Sequence, residues 1–159
     1  MGIKERFYIG SYTDMSWSRG SAGEGLYHAE LDIETGSISC CGVTGGLINP
    51  SFSVFDKSQS HLYVVNEVEP VNKNAEGRIA TFSVDKESGQ LELLGETSSF
   101  GLSPCYITLD GREENAFITN YCGDCVASIN IDQHRVLREL VQKVFHHGSG
   151  PDKERQEGP

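Results

Sequence analysis

A repeat constrains this chain more than any other feature of its sequence. Pro50, Asp56 and Asn66 recur 54 positions later as Pro104, Asp110 and Asn120. Between these markers the same order of segments returns. Pro50-Ser51-Phe52-Ser53-Val54-Phe55-Asp56 answers to Pro104-Cys105-Tyr106-Ile107-Thr108-Leu109-Asp110. Leu62-Tyr63-Val64-Val65-Asn66 answers to Ala116-Phe117-Ile118-Thr119-Asn120, and Ile79–Asp85 to Val126–Asp132. Each segment is short, β-branched or aromatic, and bounded by turn residues, so each reads as a strand. Self-similarity at a fixed period means that one supersecondary unit is stacked on copies of itself.

An earlier partial copy begins at Phe7-Tyr8-Ile9-Gly10-Ser11-Tyr12, with Tyr8 lying 55 positions before Tyr63. Residues 13–24 are rich in Ser and Gly and read as a loop. Residues 25–32 alternate as a strand, 32–36 form a turn, and a further strand starts at Ser37. The hairpin recurs at 85–89, followed by Gln90-Leu91-Glu92-Leu93. Both turns place a glycine, Gly36 or Gly89, where positive φ is needed. A full unit therefore has four strands, expected at 51–55, 61–66, 77–84 and 91–98, then at 105–109, 116–120, 125–131 and 136–145. The first unit has only the last three, because nothing precedes Phe7 to supply an inner strand.

One segment opposes this scheme. Val136, Leu137, Leu140, Val141 and Val144 fall at nearly helical spacing. The repeat places them in an outer strand, and tertiary context overrides local pattern often enough to favour the strand.

Four antiparallel strands in about 50 residues make one blade of a β-propeller. The expected fold is all-β, with residues 1–48 as blade one lacking its inner strand, 49–101 as blade two and 102–148 as blade three. Residues 149–159 connect towards a further blade. Pro159 falls 55 positions after Pro104, where a next inner strand begins, and the chain reads as truncated at a blade boundary.

Composition sets the outer limits. A formal charge of −10 argues against a nucleic-acid partner, which requires a basic face. It leaves room for a small anion, because a local Arg or Lys can bind one within an acidic protein. No apolar run reaches the roughly 20 residues needed to cross a bilayer. The N-terminus lacks a signal-peptide apolar region, and Arg6 stands where a myristoylation signal wants Ser or Thr. A cytoplasmic protein is expected. Its five cysteines are then reduced. Cys122-Gly123-Asp124-Cys125 is a C-x-x-C motif with no second pair for zinc, and a β run follows it where a redox motif wants a helix. A turn that holds two thiols is the plainer reading. Metal or redox chemistry there stays open to thiol titration and metal analysis.

The sequence resembles the lactonase family of seven-bladed β-propellers along its whole length. The matching segments are Tyr8–Thr13, Gly25-Leu26-Tyr27, Leu31-Asp32 with Thr35-Gly36, Asn49–Phe52, Leu62–Glu67 and Asn120-Tyr121. The most specific is His147–Pro151 with Arg155-Gln156-Glu157. About three of an expected seven blades are therefore present. The resemblance implies hydrolysis of 6-phosphogluconolactone to 6-phosphogluconate in the pentose phosphate pathway, with no cofactor or metal. A fungal member cyclises carboxymuconate instead, so fold alone leaves the reaction open. In the family a His-x-His segment follows on the fourth inner strand, beyond Pro159, and the general base is expected there.

Lactone hydrolysis needs a base for water, donors for the oxyanion and a cation for the phosphate. Arg155 is the anion-binding candidate, since Arg grips phosphate bidentately; Gln156 adjoins it. Glu157, Glu67 and His147 are the candidates for proton transfer. Asn120 and Tyr121, at the end of a second strand, are candidates for substrate binding. For each of these a plainer role exists. Arg155 and Glu157 sit among loop charges, Glu67 is a loop carboxylate, His147 ends a strand, and Asn120 and Tyr121 close a turn. Two further readings compete with the hydrolase. One is a catalytically inactive propeller fragment that self-associates or binds partners through unpaired blade edges. The other is a carboxymuconate cycloisomerase-like enzyme.

Overall fold

The computed structural model describes residues 3–14, 23–68, 76–152 and 154. Eleven strands form three antiparallel sheets among these residues. The first sheet holds β1 (Lys4–Gly10), β2 (Leu26–Asp32) and β3 (Ile38–Thr44). The second holds β4 (Pro50–Phe55), β5 (His61–Asn66), β6 (Arg78–Val84) and β7 (Leu91–Ser98). The third holds β8 (Pro104–Leu109), β9 (Asn115–Asn120), β10 (Cys125–Ile131) and β11 (Leu137–Phe145). Strand order follows chain order in every sheet, so each is a meander of hairpins. We call the sheets blades one, two and three. Among the described residues, blade one has no strand beside β1 on the side that β4 and β8 occupy in their own blades.

The repeat is visible atom by atom. Asp56 Oδ1 accepts from the amides of Ser60 and His61, and Asp110 Oδ1 accepts from those of Arg112 and Glu114. These aspartates cap the turn from inner to second strand, with Gln59 and Glu113 at positive φ in matching positions. The turns from third to fourth strand share a second cap. Asp32 Oδ1 takes the amides of Glu34 and Thr35, Asp85 Oδ1 those of Glu87 and Ser88, and Asp132 Oδ1 those of His134 and Val136. Gly36 and Gly89 adopt φ of 73° and 75°, as the turn chemistry requires.

Residues 136–145 resolve in favour of the strand. β11 runs antiparallel to β10, with register shifts at Ser128/Ile129 and Ile129/Ile131.

Blades stack face to face through two apolar layers. Leu26, Leu47, Leu62, Val64, Ala80 and Phe82 fill the layer between blades one and two. Tyr63, Val65, Ile79, Ile107, Ile118, Ile129 and Leu137 are among those that fill the next. Blade two is thus buried on both faces, which is why β5 reads as an almost unbroken apolar run. Polar latches cross the same joints. Tyr8 donates its hydroxyl to the Gly89 carbonyl at 2.7 Å, and Tyr63 donates to the Arg135 carbonyl at 2.9 Å. Each tyrosine sits mid-way along a second strand and reaches the hairpin turn of the next blade. The third member of the series is Phe117, which has no hydroxyl and is 38% exposed. A cluster at the same end ties blade two to blade three. Buried Asp56 bonds His61 Nδ1 at 2.9 Å, and Arg135 bridges Glu113 at 2.8 Å and lies 3.7 Å from Asp56.

Candidate functional site

At the end opposite these turns, second strands finish and inner strands start. Pro50 faces Asn66, and Pro104 faces Asn120. A proline there costs no ladder bond on the free side of an inner strand. Directly after it comes a bulge, which leaves Ser51 and Cys105 without a cross-strand partner. β1 ends at the same level, where Gly10 lies so near β4 that a Cβ on it would stand 1.8 Å from the Pro50 carbonyl oxygen. Any other residue there pushes blades one and two apart.

Asn49 organises this end. It is fully buried, with φ of 44°. Its amide donates to Thr13 Oγ1 at 3.1 Å, and its carbonyl accepts from the Glu67 amide at 3.0 Å. Its side-chain Nδ2 donates to the Glu67 carbonyl at 3.0 Å, while Oδ1 accepts from the amides of Thr13 at 2.9 Å and Asp14 at 2.8 Å. One residue thereby joins the loop after β1 to the loop after β5. Ser103, 54 positions later, repeats part of this pattern. It is buried, at φ of 51°, accepts from the Tyr121 amide at 2.9 Å, and donates its hydroxyl to the Val68 carbonyl at 3.2 Å.

Glu67 is held on this scaffold. It is only 7% exposed, and its Oε2 accepts the Tyr12 hydroxyl at 3.0 Å. Tyr12 lies 55 positions before Glu67, and Tyr121 lies 54 after it, so three blades offer Tyr, Glu and Tyr at equivalent places. Burial raises the Tyr12 phenol above its ordinary pKa, and the bond to Glu67 with its charge raises it further. Half-buried Cys105 lies within the field of the same carboxylate. Burial pushes its thiol up and Glu67 adds to the effect. Phe52 and Tyr106, from the inner strands of blades two and three, meet with ring centroids 4.6 Å apart and stay partly exposed.

The other sequence-derived candidates divide. Tyr121 follows β9 and is 57% exposed at this end. Asn120 is 1% exposed, and its Nδ2 donates inward to the Ser99 carbonyl at 3.1 Å, so its amide is turned into the joint between blades. His147 is exposed just past β11; the neighbouring His146 amide donates to the Asp124 carbonyl at 2.8 Å, which ties this segment to the turn after Asn120. Arg155, Gln156 and Glu157 lie outside the described residues. Cys122 is exposed and Cys125 buried, both free thiols at the ends of a tight turn. No group of three or more metal-ligating side chains occurs among the described residues. Sequence reasoning passed over Asn49, Tyr12, Ser103 and Cys105. Asn49, Ser103 and Cys105 adjoin the repeated prolines and Tyr12 is the repeat equivalent of Glu67, but position in the repeat does not show which loops meet.

A model of the family described as lactonase, 7-bladed beta-propeller, matches residues 6–159. The chain belongs to the lactonase family of seven-bladed β-propellers. Among curated relatives, 6-phosphogluconolactonase of Bacillus subtilis (strain 168) is 30% identical over 152 residues, which is 96% of this chain and 40% of the relative. A solved candidate 6-phosphogluconolactonase from Bacteroides fragilis superposes with a TM-score of 0.83 at 29% identity, over 98% of this chain and 40% of its own. The periplasmic gluconolactonase of Pseudomonas aeruginosa superposes with a TM-score of 0.79 at 26% identity, over 91% and 39%. The chain thus spans about 40% of the length of the relatives it matches. Its three sheets correspond to about three of the seven blades that the family description counts. No helix among the described residues is long and apolar enough to cross a membrane.

Proposed function

We propose that this chain is the N-terminal part of a hydrolase that opens 6-phosphogluconolactone to 6-phosphogluconate in the pentose phosphate pathway of the cytoplasm. The observation that carries the reading is Glu67, a nearly buried carboxylate held by a phenol at the end where three blades converge, in a chain 30% identical to a 6-phosphogluconolactonase. In this reading Glu67, and not the histidine expected beyond Pro159, takes a proton from water. The water oxygen attacks the lactone carbonyl carbon, the bond from that carbon to the ring oxygen breaks, and the ring oxygen leaves as a hydroxyl after taking up a proton. A base positioned for such transfer contributes about 10²–10⁴ in rate. His147 or Glu157 serves as the second proton carrier. Arg155, with Gln156, holds the phosphate, and Tyr121 lines the approach while Asn120 fixes its base.

The test is lactone hydrolysis by the protein as its gene encodes it, with Glu67→Gln and Arg155→Ala alongside. Loss of turnover in Glu67→Gln and a raised KM in Arg155→Ala are the expected results. Turnover of carboxymuconate in place of the lactone turns the reading to a cycloisomerase. Wild-type kinetics in Glu67→Gln remove that residue as the base. A second reading, self-association, draws on the apolar residues that blade three leaves exposed.

A further inference from the structure

Glu67 depends on a residue from another blade. Among the described residues, no cation pairs with its carboxylate and none bonds Oε1; its side-chain partner is the Tyr12 hydroxyl on Oε2. A nearly buried carboxylate with one donor has that donor as the main control on its orientation. Tyr12 is itself fixed. Its carbonyl accepts from the Gly23 amide at 2.8 Å, and the next two amides are held by Asn49 Oδ1. Ser11, the preceding residue, donates to the Gly25 carbonyl at 2.6 Å. The phenol therefore comes to Glu67 on a clamped backbone, and its 41% exposure leaves its outer edge open to the space above the inner strands.

From this geometry we infer that Tyr12 is a positioning residue. It commits one oxygen of Glu67 and thereby leaves the other to water or a substrate hydroxyl. The inference rests on the reading of Glu67 as the base. It assigns a role to the loop after β1, from which the sequence reading drew no candidate site residue. It also makes the site a product of two blades, so that catalysis requires blades one and two to be docked.

The experiment compares wild type, Tyr12→Phe, Glu67→Gln and the double variant in the protein as its gene encodes it. Spectrophotometric alkaline titration, with Tyr12→Phe as the subtraction, isolates the Tyr12 phenol. In Glu67→Gln that phenol is expected to ionise at lower pH, because the carboxylate that opposes its ionisation is gone, while Cys105 and the exposed thiol of Cys122 stay in place. In turnover, Tyr12→Phe is expected to lower kcat about tenfold or more with KM changed less than about threefold, the pattern of a lost transition-state interaction. The double variant is expected to be no slower than Glu67→Gln, since residues acting through one another are not additive. Glu67→Gln crippled beside a fully active Tyr12→Phe overturns the positioning role and leaves the base. An unmoved Tyr12 titration in Glu67→Gln overturns it too. Glu67→Gln at wild-type kcat overturns the base, and the inference with it.

Discussion

At the scale of single residues, most of the candidate site hangs on Asn49. Removing its side chain takes an acceptor from the partly buried amides of Thr13 and Asp14 and a donor from the Glu67 carbonyl. Each buried group left unpaired costs about 1–3 kcal/mol. Asn49→Ala is therefore expected to lower the unfolding free energy by about 3 kcal/mol or more in urea titration, a loss seldom seen outside cores. A smaller loss would mean that water replaces the amide. Tyr63 permits a test with pH. Burial pushes its phenol up to about 12, and its hydroxyl is committed to the Arg135 carbonyl. The folded protein thus holds this proton more tightly than the unfolded chain, whose phenol ionises near 10. Its contribution is complete below about pH 10 and lost as pH rises towards about 12. Tyr63→Phe is expected to lose about 1 kcal/mol at pH 7 and to show a flatter alkaline limb in thermal unfolding. Glu67 was legible in the sequence from its place after a strand. Asn49 was not, because its role depends on which loop crosses which, and one sequence with no contacts cannot supply that.

At the scale of elements, the repeat made the strands legible and local pattern obscured one of them. The helical spacing in β11 has a physical origin. Leu137 and Leu140, three apart, face Ile131 and Ile129, which are two apart. Leu140 and Gln142, two apart, face the adjacent pair Ile129 and Ser128. Two bulges each insert one residue, and a strand with extra residues imitates a helix on paper. The inner-strand bulges at Ser51 and Cys105 were hidden for the same reason: an extra residue changes no residue type. The cap at Asp56 carries a prediction on the acid side. Although burial works against its charge, bonds from His61, Ser58 and Ser60 hold the carboxyl below its ordinary range. A depressed pKa contributes stability above the unfolded value and loses it as pH falls through the folded one. Asp56→Asn is expected to be less stable at neutral pH and to lose less on acidification. Parallel melting curves for the two proteins would sink that assignment.

At the scale of the whole molecule, blades one and three each have a face with no partner among the described residues. Blade three leaves Phe117, Leu140 and Val144 at 38%, 38% and 48% exposure. Between β1 and blade two runs a groove of about 450 Å³ lined by Arg6, Tyr8 and Phe55 among others. Exposed apolar faces and unpaired strand edges favour association. The described chain alone is expected to sediment as concentration-dependent oligomers, and Leu140→Lys with Val144→Lys to shift it towards monomer. A monomer at all concentrations, with or without the lysines, would remove these residues as the contact. The architecture could be read from the sequence because the period is fixed and long. What covers the open faces could not, because apolar residues on the outside of a strand look the same whether they meet water or a neighbour.

The series Tyr8, Tyr63, Phe117 has a consequence for how the stack can change. The first two joints carry a hook and its eye, and sliding one blade over the next breaks a directed bond. At the equivalent place on the outer face of blade three, Phe117 offers a ring with no hydroxyl to donate. That face therefore docks by shape, and can accept, shift or release what lies against it without surrendering any tyrosine latch of its own.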